Sequence, residues 1–299
     1  MTWRTRLCAA VAAAGLMVPG SLPAPSQTST IADDAGNTFV LGPPPQRIVS
    51  LAPNITEILF ALGIGGRIVG VTRYCDYPPE AAGKAKVGGF IDPSVERIRA
   101  LAPDLVIAFR GNPWEVLDKL KALKLPVFIL DIGESLDAVP ETIAKIGRIT
   151  RREEEARSLT ASLEEKERVA RAALAGASGR PRVFLGLIGN DLMTCGRPSY
   201  LHDLIERAGG TNVAAGITKS WAAYGREHLI RDDPDVIILM APSPEEFAAA
   251  RARFVSRPGF GALRAVRSGR VHYLDENAAS RIGPRLYDAF AELVRIIHP

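Results

Sequence analysis

At 299 residues the chain is long for one hydrophobic core and suits two domains. Its formal charge of +4 falls to 4 − 2 = +2 once Arg4 and Arg6 are discounted, a near-neutral balance that argues against nucleic acid as a partner. Three cysteines are too few for a scaffold built from disulfides.

Residues 1–6 carry two arginines and no acid, residues 7–18 are apolar and rich in alanine, and Pro19, Gly20 and Ser21 follow. That order describes a secretory signal peptide, placed at residues 1–24, and implies export to the periplasm. Cys8 lies inside the apolar stretch rather than behind small residues at its end, so no lipid attachment is indicated. The Pro-, Ser- and Thr-rich sequence beyond predicts a flexible tether over 25–38. No later stretch is apolar for long enough to span a bilayer.

Short apolar runs then alternate with helical patterns, as in α/β units whose strands are covered on both faces. Strands are predicted over 47–51, 68–72, 105–109, 127–130, 183–187, 236–240 and 271–274. Between 130 and 183 the sequence reads as helix twice, over 136–150 and over 151–174. The second segment is charged, free of Gly and Pro, and at 1.5 Å per residue would run about 36 Å, enough to bridge two lobes. The reading is an N-terminal lobe at 39–135, a helical linker at 136–178 and a C-terminal lobe at 179–299.

The flanking halves resemble each other. SVERIRALAPDLVIAF and GREHLIRDDPDVIILM share a Glu on a short helix, a Pro-Asp seven residues later and an apolar strand, at constant offsets of 227 − 96 = 131 and 234 − 103 = 131. A second echo pairs RIVSL and TEILFALG with RVFLG and HDLIERAGG. Two αβ units repeated in the same order predict two similar α/β lobes joined by one helix.

Ligands of open α/β sheets lie beyond the carboxyl ends of the strands. After the first predicted strand comes APNITE, where Asn54 can cap the helix and Glu57 supports its first turn. Tyr74 lies in an aromatic loop stiffened by Pro78 and Pro79, while Phe90 follows Gly88-Gly89 and Phe109 precedes Arg110-Gly111-Asn112. Met193 and Trp221 are expected in loops of the second half. Aromatics recurring at successive strand ends predict a broad apolar cleft for a large, flat ligand rather than a sugar or an inorganic anion. The four histidines are scattered without metal-ligand spacing. Cys75 and Cys195, one per half, are read as cleft-loop thiols that would staple the cleft if paired and otherwise stand isolated.

RIVSLAPNITEIL, VGVTRYCDYPP and KVGGFIDPSVERIRALAPDLVIAFRGN resemble the iron and cobalamin class of periplasmic binding proteins, as do RVFLGLIGNDLMTCG, SWAAYGREHLIRDDPDVIIL and ASRIGPRL. The resemblance implies two similar Rossmann-like lobes joined by a single long helix, the class III arrangement. It further implies a monomer that holds a corrinoid such as cobalamin between its lobes and delivers it to an ABC permease dimer in the inner membrane, with no cofactor of its own. Carried over by position, Pro53, Tyr74, Phe90, Phe109, Met193, Trp221 and Asn277 would contact the ligand, and Glu96 and Glu227 would dock on the permease. Phe90 and Phe109 stand where better-known members have tryptophan, Met193 where they have phenylalanine and Asn277 where they have aspartate. Haem or a ferric siderophore is the alternative ligand. An enzyme on the same fold is the rival class, but no GxSxG elbow, P-loop, HExxH or paired-acid signature is present.

Overall fold

The computed structural model describes residues 29–188 and 191–299; the signal peptide read at 1–24 lies outside them. A hairpin, β1 (Thr30–Ala32) and β2 (Thr38–Val40), precedes β3 (Ile48–Ser50), α1 (Pro53–Ala61), β4 (Ile68–Val71), α2 (Pro79–Ala82), β5 (Ala85–Lys86), α3 (Val95–Ala100), β6 (Leu105–Phe109), α4 (Trp114–Ala122) and β7 (Val127–Leu130). Two helices follow, α5 (Ala138–Thr150) and α6 (Glu153–Ala172). The second half comprises β8 (Arg182–Ile188), β9 (Leu192–Cys195), α7 (Tyr200–Arg207), β10 (Thr211–Asn212), β11 (Trp221–Ala223), α8 (Arg226–Asp232) and β12 (Val236–Ala241). It ends with α9 (Pro244–Val255), α10 (Arg264–Arg267), β13 (Val271–Asp275), α11 (Glu276–Ala279) and α12 (Leu286–Ile297).

Each half folds around its own sheet. In the N-terminal lobe the order is β5-β4-β3-β6-β7, with every pair parallel. In the C-terminal lobe it is β11-β9-β8-β12-β13, with β8, β12 and β13 parallel and β10 beside the start of β8. Strands β3 and β12, central in their sheets, and β7, an end strand, are buried along their whole length, which is why they read as unbroken apolar runs rather than alternating ones. In both sheets the chain moves outward in one direction and then returns to the other side of its first strand. The order reverses between β3 and β6 and between β8 and β12, and the loops leaving those strands frame crevices. The repeat is thus realised as α3–β6 and α8–β12 at equivalent places.

The segment read as a tether differs from expectation within the described residues. Asp33, nearly fully buried, accepts hydrogen bonds from the Asn37 and Ile129 amides at 2.7 and 3.1 Å. Asp34 accepts one from the Asp131 amide at 2.8 Å and pairs with Lys145 of α5 at 2.6 Å. These bonds bind the β1–β2 hairpin along the β7 edge, so the stretch from Thr30 belongs to the N-terminal lobe.

The linker is a helical pair. Helix α5 stops where Arg151 takes a left-handed φ of 58°, and the Arg152 amide closes back on the Gly147 carbonyl at 2.7 Å. A Cβ at Gly147 would lie 2.5 Å from that of Ala156, so glycine lets α6 start hard against α5. Helix α6 has 20 residues, about 30 Å of rise, and passes into a 3-10 turn at Ala173–Gly176. Its buried stripe, Ala156, Leu163 and Ala170, packs between α5 and the strongly amphipathic α12. One apolar cluster consequently runs without a break from Ile55 and Leu59 through Ile143 and Leu163 to Leu204 and Phe290.

Across that continuous core, Glu57 of α1 is clamped by two arginines that follow α11. Arg285 donates to both of its oxygens at 3.0 and 2.7 Å, and Arg281 donates to one at 3.0 Å. The Glu57 side chain is 2% exposed and those of Arg281 and Arg285 are 10% and 14% exposed. Burial opposes the charge on Arg281, but hydrogen bonds to Asp76 and Glu57 prevail and hold the guanidinium above its ordinary value. Nearby, the Asn54 amide donates to the Ile282 carbonyl at 3.0 Å instead of capping α1, whose N-cap is Ala52. Replacing Glu57 by Ala leaves two guanidiniums in a nearly dry site. We expect a loss of about 3–5 kcal/mol of stability, read as a lowered urea midpoint with an unchanged slope; a shift below about 1 kcal/mol would reduce the clamp to the level of a surface ion pair.

Candidate functional site

A cavity of about 470 Å³ lies between the lobes, where the loops at the strand ends of the N-terminal sheet face the segment that follows β13. From the N-terminal lobe it is lined by Pro53, Tyr74, Phe90 and Phe109, and from the C-terminal lobe by Glu276, Asn277, Ser280 and Arg281. The three aromatics form a ladder: ring centroids are 5.4 Å apart for Tyr74 and Phe90 and 6.4 Å for Phe90 and Phe109, both pairs tilted at 54°. Tyr74 is 43% and Phe90 36% exposed, so the ladder presents ring area to the cavity instead of filling a core.

The backbone beneath the ladder is held by one side chain. Asn112, 1% exposed, donates to the carbonyls of Leu51 at 3.2 Å and Phe90 at 2.8 Å, and accepts from the Phe109 amide at 3.0 Å. It therefore ties together the loops after β3, β5 and β6. The Phe90 loop has a second anchor, because Arg73 grips Asp92 with two bonds of 2.9 and 2.7 Å while Asp92 also accepts from the Gly89 amide. Gly88 has φ of 115° and a Cβ there would meet the Asp92 carbonyl at 2.5 Å, so this turn requires glycine.

The facing wall is polar. Arg281 donates to Glu57, to Asp76 at 2.6 Å, to the Tyr74 carbonyl at 3.2 Å and to Asn277 Oδ1 at 3.0 Å, which engages both terminal nitrogens of the guanidinium inside the protein. The Glu276 carboxylate, by contrast, takes part in no hydrogen bond or ion pair among the described residues, and only the residue's backbone carbonyl is engaged, accepting from the Ser280 amide. Burial, with Glu246 and Asp275 adding repulsion, holds its carboxyl above the usual carboxylate range.

Five of the residues singled out from the sequence, Pro53, Tyr74, Phe90, Phe109 and Asn277, thus line one cavity. Met193 and Trp221 do not line it. Both lie on strands rather than in the loops expected, with β9 folded back antiparallel on β8 and Trp221 of β11 opposite Cys195. Glu96 and Glu227 are exposed in the first turns of α3 and α8. The cysteines do not reach the cleft either: both are free and buried, Cys75 against the hydroxyls of Thr56 and Thr72 at 3.1 Å, and Cys195 with its thiol pushed up to about 12 by burial. His202 faces Asn212 on its own lobe, and no cluster of three metal-binding side chains occurs among the described residues. Sequence reasoning missed Asn112, Arg281 and Glu276 as parts of the site. The signal available was the pair of arginines four apart in ASRIGPRL.

The pattern of the periplasmic binding protein family matches residues 48–278. A vitamin B12-binding protein of Pectobacterium carotovorum subsp. carotovorum (strain PC1) is 30% identical over 244 residues, spanning 81% of this chain and 84% of that relative. Among solved structures, the apo periplasmic heme-binding protein RhuT from Roseiflexus sp. RS-1 superposes with a TM-score of 0.77 at 30% identity, covering 86% of this chain and 98% of that one. The periplasmic vitamin B12 binding protein BtuF of Vibrio cholerae gives 0.73 at 26% identity, with coverages of 86% and 98%. Two α/β lobes, a helical linker and an interlobe cavity accompany a family match that runs from β3 into α11: the chain belongs to the periplasmic binding protein family.

Proposed function

We propose that this protein is the substrate-binding component of an ABC importer, exported to the periplasm, that captures a corrinoid in the interlobe cavity as a monomer and hands it to a permease dimer. The observation that carries this reading is the ladder of Tyr74, Phe90 and Phe109 facing polar side chains of the other lobe. Exposed tilted rings supply apolar area to the face of a macrocycle, and amide and carboxylate groups opposite them suit a ligand rimmed with hydrogen-bonding substituents. The vitamin B12-binding relatives support the same ligand class. Membership in a family of binding proteins supports binding as the role of the cavity.

A second reading, haem, is favoured by one contact. The Tyr74 phenol opens on the cavity beside Arg73, whose guanidinium is held above its ordinary value by Asp92 and by the Tyr74 hydroxyl. A phenol oxygen is a known type of axial ligand to haem iron.

Calorimetric titration of the mature protein with cobalamin, cobinamide, haem and a ferric siderophore separates these readings. We expect dissociation constants below about 1 μM for the corrinoids, near −8 kcal/mol, and weakening of about tenfold in Phe90→Ala through lost stacking and apolar area. Sub-micromolar binding to haem alone would replace the corrinoid reading, and binding to none of the four would remove both.

Asn112→Ala frees three loops at once. Amide exchange over residues 88–93 is expected to accelerate and corrinoid affinity to fall, with a stability loss of about 1–3 kcal/mol for the groups left unpaired. Unchanged exchange in that loop would show that Arg73 and Asp92 suffice to hold it.

Delivery is assigned to Glu96 and Glu227, which occupy equivalent first turns in the two lobes. A permease with twofold symmetry offers two matching anchors, and exposed carboxylates suit basic pockets that set register and encounter rate. Changing both to Ala is expected to abolish permease binding at physiological salt while corrinoid affinity stays within about twofold. Normal docking by the double variant would leave these glutamates as helix-dipole supports alone.

A further inference from the structure

We propose that Glu276 sets the charge selectivity of the cavity, admitting macrocycles whose rim carries neutral amides or cations and rejecting those whose rim carries carboxylates. The inference rests on the macrocycle reading above and specifies which rim chemistry the site accepts.

Among the described residues two charged side chains line the cavity, Glu276 and Arg281. They differ in what remains available to a ligand. Arg281 lies between the carboxylates of Glu57 and Asp76, and its remaining bonds go to Asn277 and to the Tyr74 carbonyl. Its charge is matched within the protein, and it is held in place by the clamp between the lobes. Arg73, at the edge of the ladder, is likewise spent on Asp92. Glu276 sits half-buried at the first position of α11, directly after Asp275, whose carboxylate accepts from the amides of Asn277 and Ala278 and caps that short helix. The helix end therefore has its own acid, and Glu276 is left facing the cavity. No guanidinium or ammonium pairs with it among the described residues, and its acidic neighbours Asp275 and Glu246 add to the negative potential.

A carboxylate-bearing rim entering this cavity would meet an unmatched acid without gaining a free cation, and like charges brought together in a partly desolvated site repel strongly. An amide-bearing rim instead finds a strong hydrogen-bond acceptor. Of the two adjacent residues that line this wall, Asn277 is neutral. The acid is supplied by the preceding residue, and the neutral Asn277 is engaged with Arg281.

The test uses ligand pairs that share a ring and differ only at the rim: dicyanocobinamide, with amides, against dicyanocobyrinic acid, with carboxylates, and haem dimethyl ester against haem. Dissociation constants are measured for the unaltered protein and for Glu276→Gln, which keeps the shape and removes the charge, with the melting temperature confirming that the variant folds. We expect the unaltered protein to prefer the amide corrin, and Glu276→Gln to lose that preference, binding the carboxylate corrin at least about tenfold more tightly and the amide corrin no more tightly than before. If neither corrin binds, the corrinoid reading fails on its own, and the haem pair decides the role of Glu276 by the same ratio. Preference ratios that do not move in the variant, or binding of none of the four ligands, overturn the proposal.

Discussion

The arrangement of this protein depends on one buried carboxylate. Glu57 belongs to the first helix of the N-terminal lobe, yet its partners, Arg281 and Arg285, are supplied more than two hundred residues later by the C-terminal lobe. A single charge removed from water here would be costly, and it is tolerated because two guanidiniums converge on it with good geometry. Arg285 in turn lies over the Tyr77 ring at 4.1 Å, and Arg281 reaches Asp76, Asn277 and the Tyr74 backbone. The distance between the lobes and the shape of the cavity floor are consequently set by the same network. The unbroken apolar cluster through α5, α6 and α12 supports it from behind, so the two sheets are held by packing and by charge rather than by a tether alone.

Much of this was legible in the sequence because the central strands are covered on both faces. Runs such as LVIAF and VIILM need no alternation to be recognised, and all seven predicted strands are present. The offset of 131 residues correctly exposed the duplicated α3–β6 and α8–β12 units. What escaped was short or antiparallel. The stretches LMTC and WAA are too short to read as strands, and they become strands because β8 offers a free edge on which β9 and then β11 can pair. The same limitation hid the β1–β2 hairpin, whose stability comes from Asp33 and Asp34 bonding to a strand almost a hundred residues away.

The cavity was half legible, for a related reason. Aromatic residues beside Gly, Pro and Asn at strand ends mark ladder positions locally, and Tyr74, Phe90 and Phe109 carry that mark. Polar residues carry none, since their meaning depends on partners distant in sequence. Asn54 and Glu57 have local roles available as helix cap and first-turn acid, and these are what a linear reading assigns them. Tertiary partners claim both instead, Ile282 for the one and the arginine pair for the other.

Asn112 separates two properties that most binding sites entangle. By bonding only to main-chain atoms of Leu51, Phe90 and Phe109, it fixes where three loops run without regard to which side chains they display. Selection can then exchange one displayed ring for another while the loop paths stay constant. A lineage built on such a support can drift between cargoes through single substitutions, each intermediate retaining a formed receptor.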